Sequence, residues 1–159
     1  MKLQIISTPD TVGHFLEIAE LDRIAWLGSD GADFVPDGEH SWRVWSEYSF
    51  VVAALDESSK ILGVICSFDT NVDSLHFFHK IFIRADERHK GIGLALMRIY
   101  CDYLDSRLLD AIMTTVPNNF PMIGLSDLFG FETQEEIAGY YRDDEDRLLR
   151  RRKSNPKAY

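Results

Sequence analysis

The sequence contains few cysteines, no long apolar run and no excess of basic charge. Its two cysteines, Cys66 and Cys101, lie in apolar surroundings, so we expect buried thiols rather than a disulfide or a metal pair. No apolar run reaches the length of a membrane span, and the first ten residues lack the apolar stretch of a signal peptide. We therefore expect a cytoplasmic protein with no membrane partner and no bound metal.

The charge balance also excludes a class of partner. The 159 residues include 17 Lys and Arg against 26 Asp and Glu, a net charge of −9. Nucleic-acid phosphates require a basic surface, so we expect no nucleic-acid partner. The same charge weakly favours a cationic ligand such as an amine. The length suits one domain, which we place at 1–153, followed by a frayed tail at 154–159.

The apolar periodicity predicts alternating strands and helices of an α/β protein. Strands are expected at 2–7, 49–55, 61–68, 75–83, 109–116, 131–137 and 147–152, and helices at about 10–27, 39–47, 92–104 and 118–129. The first helix is predicted to bury Val12, Phe15, Leu16 and Ala19, with Asp22 off that face. The last strand, RLLRRR, is interpreted as a charged edge strand.

The stretch from Leu75 to Ile99 combines a strand, a glycine-containing loop and the start of a helix. Glycine allows close approach of the backbone to a ligand, and a helix N-terminus presents unpaired N–H groups with a positive dipole end. Arg88, His89 and Lys90 add donors at the same place. The loop is therefore a candidate anion site, most plausibly for phosphate.

This pattern resembles a known family. An Arg-x-x-Gly-x-Gly segment after a strand, followed by Leu-Ala-Leu-Met, resembles the acetyl-CoA pyrophosphate loop of the GNAT N-acetyltransferase superfamily. The resemblance implies a single GNAT-like domain, with a mixed, mostly antiparallel sheet of about seven strands, about four flanking helices, and a splay between strands four and five. It also implies acetyl-CoA as cosubstrate, with its pyrophosphate held by the backbone of Arg88, His89, Lys90, Gly91, Ile92, Gly93, Leu94 and Ala95.

The resemblance extends to the rest of the cofactor. Ile81 and Ile83 would bond the pantetheine arm as if it were an added strand, and the N–H of Phe82 would stabilise the oxyanion. Asn119, eleven residues before a Gly-Phe pair, matches an Asn of the family that contacts the pantetheine. A plain helix cap is the alternative role of Asn119, and the two roles are compatible.

The candidate general base is His79, in the middle of an otherwise apolar strand. Imidazole titrates near neutral pH, so it can accept a proton without carrying a permanent charge. The alternative is a strand histidine bonded to a carbonyl or carboxylate. Ser126 stands where many family members have the tyrosine that acts as general acid, which leaves the acid open. Tyr140 and Tyr141 are candidate substitutes; their alternative is aromatic packing on a neighbouring strand.

Phe34, Trp42 and Trp45 are candidates for an acceptor pocket, although Trp42 and Trp45 equally suit a helix that packs on the sheet. The predicted function is transfer of an acetyl group from acetyl-CoA to a small-molecule amine, by direct attack in a ternary complex. A peptide or protein N-terminus is the alternative acceptor, and a non-catalytic acyl-CoA-binding module is the alternative function. A homodimer is one candidate oligomeric state.

Overall fold

The computed structural model describes residues 3–27 and 37–156. This part of the chain contains seven strands and four α-helices in the predicted order. The strands are β1 (Gln4–Ser7), β2 (Phe50–Leu55), β3 (Ile61–Asp69), β4 (Leu75–Ile83), β5 (Asp110–Thr115), β6 (Glu132–Ile137) and β7 (Arg147–Arg152). The helices are α1 (Phe15–Leu27), α2 (Glu39–Tyr48), α3 (Ile92–Arg107) and α4 (Phe120–Leu128). The expected helix end at Gly28 and residues 157–159 of the expected tail lie outside the described residues.

The strands form a mixed sheet in the order β1-β2-β3-β4-β5-β7-β6. The pairs β1–β2, β2–β3, β5–β7 and β6–β7 are antiparallel, whereas β4 and β5 are parallel. The β4–β5 ladder has only three residue pairs and ends at Phe77 opposite Ile112, although β4 continues to Ile83. The predicted fold class, a mixed and mostly antiparallel sheet of seven strands with four helices, is therefore confirmed.

The chain divides into two compact units, and their boundary crosses β4 between His79 and Lys80. The first unit contains β1, β2, β3 as far as Ser67, α1, α2, the second half of β4 and the start of α3. Nearly every residue of β2 and β3 is buried, which identifies them as its central strands. Ile18, Ala19 and Leu21 of α1 and Trp42 of α2 complete this core.

The predicted buried face of α1 was partly wrong. Leu16 is 61% exposed, whereas Asp22 is only 1% exposed. The cause is local, because residues Asp10–His14 form a 3-10 helix before α1 begins. A 3-10 turn has three residues instead of 3.6, so five such residues rotate the helix face by roughly 100° relative to a continuous α-helix.

The second unit contains the first half of β4, β5 to β7, most of α3, and α4. Its core is aromatic where β4 meets α3. The ring of Phe78 lies 5.5 Å from Tyr100 and 6.4 Å from Phe131, measured between centroids, and all three side chains are buried. Leu104 of α3 and Met113 of β5 are buried in the same unit.

The interpretation of β7 as an edge strand was wrong, because β7 lies between β5 and β6. Two of its arginines, Arg150 and Arg152, are consequently buried and bonded. Arg152 forms a two-point ion pair with Asp105, at 2.8 and 2.7 Å, and its Nε donates to the carbonyl of Phe129. The edge is β6 instead, whose residues 132–136 are all exposed.

Both cysteines are free and buried, as predicted. Burial raises the pKa of the Cys101 thiol to about 11 and raises that of Cys66 further, so neither thiol ionises readily at neutral pH. Among the described helices, none has the length and apolar character needed to cross a bilayer.

His76, at the start of β4, is a buried histidine with two polar neighbours. Its Nδ1 lies 3.1 Å from the hydroxyl of Tyr100, and its Nε2 lies 3.4 Å from a carboxylate oxygen of Asp69. The imidazole is 1% exposed, and this burial lowers its pKa from the usual 6.5, while the charge of Asp69 opposes the shift. His76 therefore resists protonation in the folded state.

We expect His76→Gln to weaken the dependence of stability on pH. The unfolded wild type takes up a proton near pH 6.5, whereas the folded protein resists it until a lower pH. The free energy of unfolding therefore falls below about pH 6.5, with a contribution of at most about 1.4 kcal/mol per pH unit from this group. Urea denaturation between about pH 5 and 8 measures the slope. Equal slopes for variant and wild type would rule out His76 as a source of the dependence.

Candidate active site

In the first unit, the segment between β4 and α3 forms an exposed loop with two left-handed residues. The backbone angle φ is +63° at His89 and +83° at Gly91, and residues 88–91 are exposed. An added Cβ at Gly91 would meet no described atom within 4 Å, so the space above this glycine is open. Such left-handed turns aim successive backbone N–H groups at one side, which suits an anion.

The loop leads directly into the N-terminus of α3. The N–H of Ala95 donates to the carbonyl of Gly91 at 3.0 Å and so begins the helical ladder. The N–H groups of Ile92, Gly93 and Leu94 therefore lack a partner within the helix. The first turn of α3 carries no acidic side chain, which leaves the positive end of the helix dipole uncompensated there.

Three basic side chains belong to this loop, as the sequence predicted. Arg88, His89 and Lys90 are all exposed. Lys90 forms an ion pair of 3.0 Å with Glu87, and Nε of Arg88 is 3.5 Å from the carbonyl of Ile83. The combination of open backbone donors and nearby cations can hold a diphosphate group.

The strand before the loop is fixed by an aromatic contact. Phe82 is 8% exposed, and its ring lies 5.7 Å from Trp42 in an edge arrangement. Trp42 in turn contacts Trp45 at 5.1 Å. Trp42 is fully buried and packs within the first unit, whereas Trp45 is half-buried. Phe34, the third residue predicted for an acceptor pocket, lies outside the described residues.

The sequence did not predict a charged cluster of Lys80, Asp22 and Asp37 in the same unit. Nζ of Lys80 donates to both oxygens of Asp22, at 3.2 and 3.0 Å, and also to Asp37. The indole N–H of Trp42 donates to Asp22 at 3.0 Å. Burial raises the pKa of the Asp22 carboxyl, while Lys80 and Trp42 oppose this shift by stabilising the ionised form.

Two signals in the sequence point to this cluster in retrospect. Lys80 is the only Lys or Arg in the strand LHFFHKIFI. Asp22 stands four residues after Ile18 and three after Ala19, which are both fully buried, so it shares their helix face. The pairing of the two residues requires the tertiary structure, because 58 positions separate them.

In the second unit, His79 lies on β4 and is half-buried among aromatic rings. Its ring centroid is 5.1 Å from that of Phe68 and 6.4 Å from that of Phe77. A general base must be accessible to its ligand, and a half-buried imidazole meets that requirement. Its role as the base remains a prediction.

Asn119 caps α4, which confirms one of its two predicted roles, a helix cap; the other, a contact with pantetheine, stays a prediction. Its side-chain oxygen accepts from the N–H of Met122 at 3.2 Å. Asn119 is half-buried rather than fully covered. The amide nitrogen of the side chain is not involved in this cap bond, so contact of the same residue with pantetheine is compatible with it.

Ser126 is fully buried and its hydroxyl is engaged. The hydroxyl donates toward the carbonyls of Met122 and Ile123, at 2.8 and 3.0 Å, and accepts from Nη1 of Arg150 at 2.6 Å. Arg150 also donates to Ile123, Asp127 and Phe131. This arrangement favours a structural role for Ser126, because the guanidinium occupies the space into which a longer side chain would extend.

We expect Ser126→Ala to reduce stability by about 1.5 to 3 kcal/mol, because it removes a buried acceptor from a charged donor. Chemical denaturation measures this loss. Ser106→Ala is the matched control, since Ser106 is also on a helix and donates to a carbonyl one turn back at 2.8 Å, but is exposed. A Ser126→Ala protein with full stability and a reduced kcat would instead identify Ser126 as the acid.

Tyr140 and Tyr141 lie in the hairpin between β6 and β7. Their rings stack edge to face with centroids 4.7 Å apart, and the side chains are 40% and 57% exposed. Arg147 lies 5.0 Å from the ring of Tyr141. The hairpin is held by the N–H of Gly139, which donates to Asp146 at 3.0 Å. Both phenols are therefore presented to solvent from a fixed loop.

Among residues 3–27 and 37–156, no group of three or more His, Cys, Asp or Glu side chains is arranged to hold a metal ion.

Comparison with known proteins agrees with the resemblance of the sequence. A family model described as "Acetyltransferase (GNAT) family" matches residues 15–131. This range includes the exposed loop, the start of α3 and all of α4. No curated protein sequence matches the chain.

Solved structures share the fold over almost the whole chain. The ribosomal-protein-S18-alanine N-acetyltransferase from Escherichia coli has a TM-score of 0.78 and 16% identity, with 99% of both chains covered. A GNAT superfamily phosphinothricin acetyltransferase from Sinorhizobium meliloti, in complex with AcCoA, has a TM-score of 0.78 and 19% identity, covering 98% of this chain and 90% of the other. A chain of the NatC complex bound to Gag peptide and CoA has a TM-score of 0.77 and 18% identity, covering 98% and 100%.

Proposed function

Since the chain belongs to the acetyltransferase (GNAT) family and is thereby an acetyl-CoA-dependent acetyltransferase, we propose that it acetylates a small-molecule primary amine by direct attack. The observation that carries the proposal is the exposed loop at the N-terminus of α3, with left-handed residues at His89 and Gly91. In the proposed complex, backbone N–H groups of residues 88–95 hold the pyrophosphate of acetyl-CoA. The backbone of Ile81 and Ile83 pairs with the pantetheine arm, and Asn119 contacts the same arm.

The proposed reaction is a single displacement at the thioester. The amine nitrogen bonds to the carbonyl carbon, and the N–H of Phe82 stabilises the negative oxygen of the tetrahedral intermediate. His79 accepts a proton from the attacking nitrogen, because only an uncharged amine is nucleophilic. The carbon–sulfur bond then breaks and CoA leaves as a thiolate, which takes up a proton.

Tyr140 or Tyr141 is the proposed source of that proton, with solvent as the other source. Their exposure on a hydrogen-bonded loop supports this choice. Ser126 is a weaker candidate, because its hydroxyl is buried against Arg150. A serine hydroxyl is also a far weaker acid than a phenol, whose usual pKa is about 10.

A peptide or protein N-terminus is the second candidate acceptor. The exposed Tyr140–Tyr141 pair stands beside Asp143, Asp144 and Asp146, which are also exposed. This surface would attract a cationic chain. Two of the structural neighbours are named for a protein or peptide ligand, namely the S18-alanine N-acetyltransferase and the NatC complex bound to Gag peptide.

A transfer assay distinguishes these functions. Release of the CoA thiol is measured with acetyl-CoA against pooled small amines and against peptides with free or pre-acetylated N-termini. Turnover with small amines is the expected result. Turnover only with free N-termini would establish the second acceptor class. Binding of CoA without transfer to any acceptor would overturn the proposal in favour of a non-catalytic binding module.

A further inference from the structure

The cluster of Lys80, Asp22 and Asp37 contains two charges that are largely removed from water. The side chains of Lys80 and Asp22 are 13% and 2% exposed, and that of Asp37 is 31% exposed. Nζ of Lys80 also lies 5.8 Å from the ring centroids of Trp26 and of Trp42. The ammonium group is thus held by carboxylates and by aromatic faces together.

Stability alone does not account for such a cluster. Removing two charges from water costs about as much as their attraction returns, so a buried ion pair is often no more stable than an apolar pair of similar size. An apolar residue at position 80 would match Ile81, Phe82 and Ile83, which follow it in β4. The lysine is better explained by its directional bonds than by a gain in free energy.

Those bonds connect three separate parts of the first unit. Lys80 belongs to β4, Asp22 to α1, and Asp37 immediately precedes Gly38, the N-cap of α2. The indole N–H of Trp42 adds a bond from α2 to Asp22. The side chain of Lys80 is therefore bonded to both α1 and the start of α2. Lys80 directly precedes Ile81–Ile83, whose backbone is proposed to contact the pantetheine arm.

We propose that Lys80 is a positioning residue that holds the backbone of Ile81–Ile83 in the arrangement that binds the pantetheine arm of CoA. This inference rests on the proposed function. It requires no contact between Lys80 and the cofactor. The loop at residues 88–95 has its own bonds, including Ala95 to Gly91, so the diphosphate part of the ligand is held independently of Lys80.

The test separates positioning from stability with a pair of substitutions. Lys80→Met leaves Asp22 buried without its cation and should lower Tm by roughly 10 °C. The double variant Lys80→Met with Asp22→Asn removes both charges and keeps an acceptor for Trp42. Its Tm should return to within a few degrees of the wild type.

Binding of two ligands to the double variant is then measured by calorimetry. CoA should bind at least tenfold more weakly than to the wild type, because the backbone of Ile81–Ile83 is no longer held in the arrangement that binds pantetheine. The fragment 3′-phosphoadenosine 5′-diphosphate, which is CoA without its pantetheine arm, should bind within twofold of the wild type. Arg152→Met with Asp105→Asn removes a comparably buried ion pair of the second unit and should alter the affinity of neither ligand.

Each outcome has a defined meaning. Recovery of both Tm and CoA affinity in the double variant would overturn the inference, because the cluster would then be purely structural. Equal losses for CoA and for the fragment would also overturn it, since the loop would be disturbed as well. A wild-type protein that binds neither ligand would refute the proposed function itself, and the inference with it.

Discussion

CoA is expected to bind at least tenfold more weakly to Gly93→Gln than to the wild type, which corresponds to about 1.4 kcal/mol of binding free energy or more. Gly93 lies in the first turn of α3, which begins at Ile92. Any side chain there would stand beside the unpaired N–H groups that are proposed to hold the pyrophosphate. The glycine allows the closest approach of phosphate to this backbone.

The same substitution should not destabilise the protein. Glutamine is the better helix former by about 0.5 to 1 kcal/mol, so the folded state is expected to gain slightly or to remain unchanged. Loss of affinity together with retained or increased Tm would be the signature of a blocked site. Calorimetric titration with CoA and a thermal melt measure the two quantities.

Gly124→Gln provides the matched control. Gly124 also lies within a helix, α4, and is exposed with no described atom within 4 Å of an added Cβ. It should gain the same helix propensity without loss of CoA affinity. Unchanged affinity in Gly93→Gln would contradict the phosphate site at the N-terminus of α3.

His79→Ala is expected to lower kcat/KM for acetyl transfer by a factor of roughly 100 or more, the usual contribution of a general base. The pH profile should change as well. In the wild type, the base accepts the proton of the attacking amine, so transfer is expected to continue below the pKa of the amine. Without it, the rate should simply follow the concentration of the uncharged amine.

His40→Ala controls for the loss of a histidine, since His40 is exposed at the start of α2. Thermal melts are needed beside the kinetics, because His79 packs against Phe68 and Phe77. An unaltered rate and pH profile in a folded His79→Ala protein would remove this histidine from the mechanism. The base would then have to be sought elsewhere.

Local signals in the sequence were sufficient for most of the fold. The Asn119 cap at the start of α4 and the glycine after its end depend on neighbouring residues alone, and these two predictions were confirmed. The loop before α3 was recognisable for the same reason, because its glycines and its strand and helix are contiguous in the chain.

The errors had two causes: an environment determined by distant residues, and one local turn of unexpected geometry. Nothing local places β7 between β5 and β6, so the burial of Arg150 and Arg152 required the topology. The pairing of Asp22 with Lys80 likewise required the tertiary structure, because the two residues are far apart in sequence. The exposure of Leu16 follows from a 3-10 turn that apolar periodicity does not distinguish from an α-helix.

The position of β6 at the edge of the sheet has a consequence for self-association. Among the described strands, β6 has a neighbour on one side only, and Glu132, Glu135 and Glu136 are exposed along it. If two copies joined their sheets through this strand, six carboxylates would be brought into one ladder, where like charges repel. The carboxylates thereby protect this strand against edge-to-edge association of two sheets. Any dimer of this protein is expected to form through another surface.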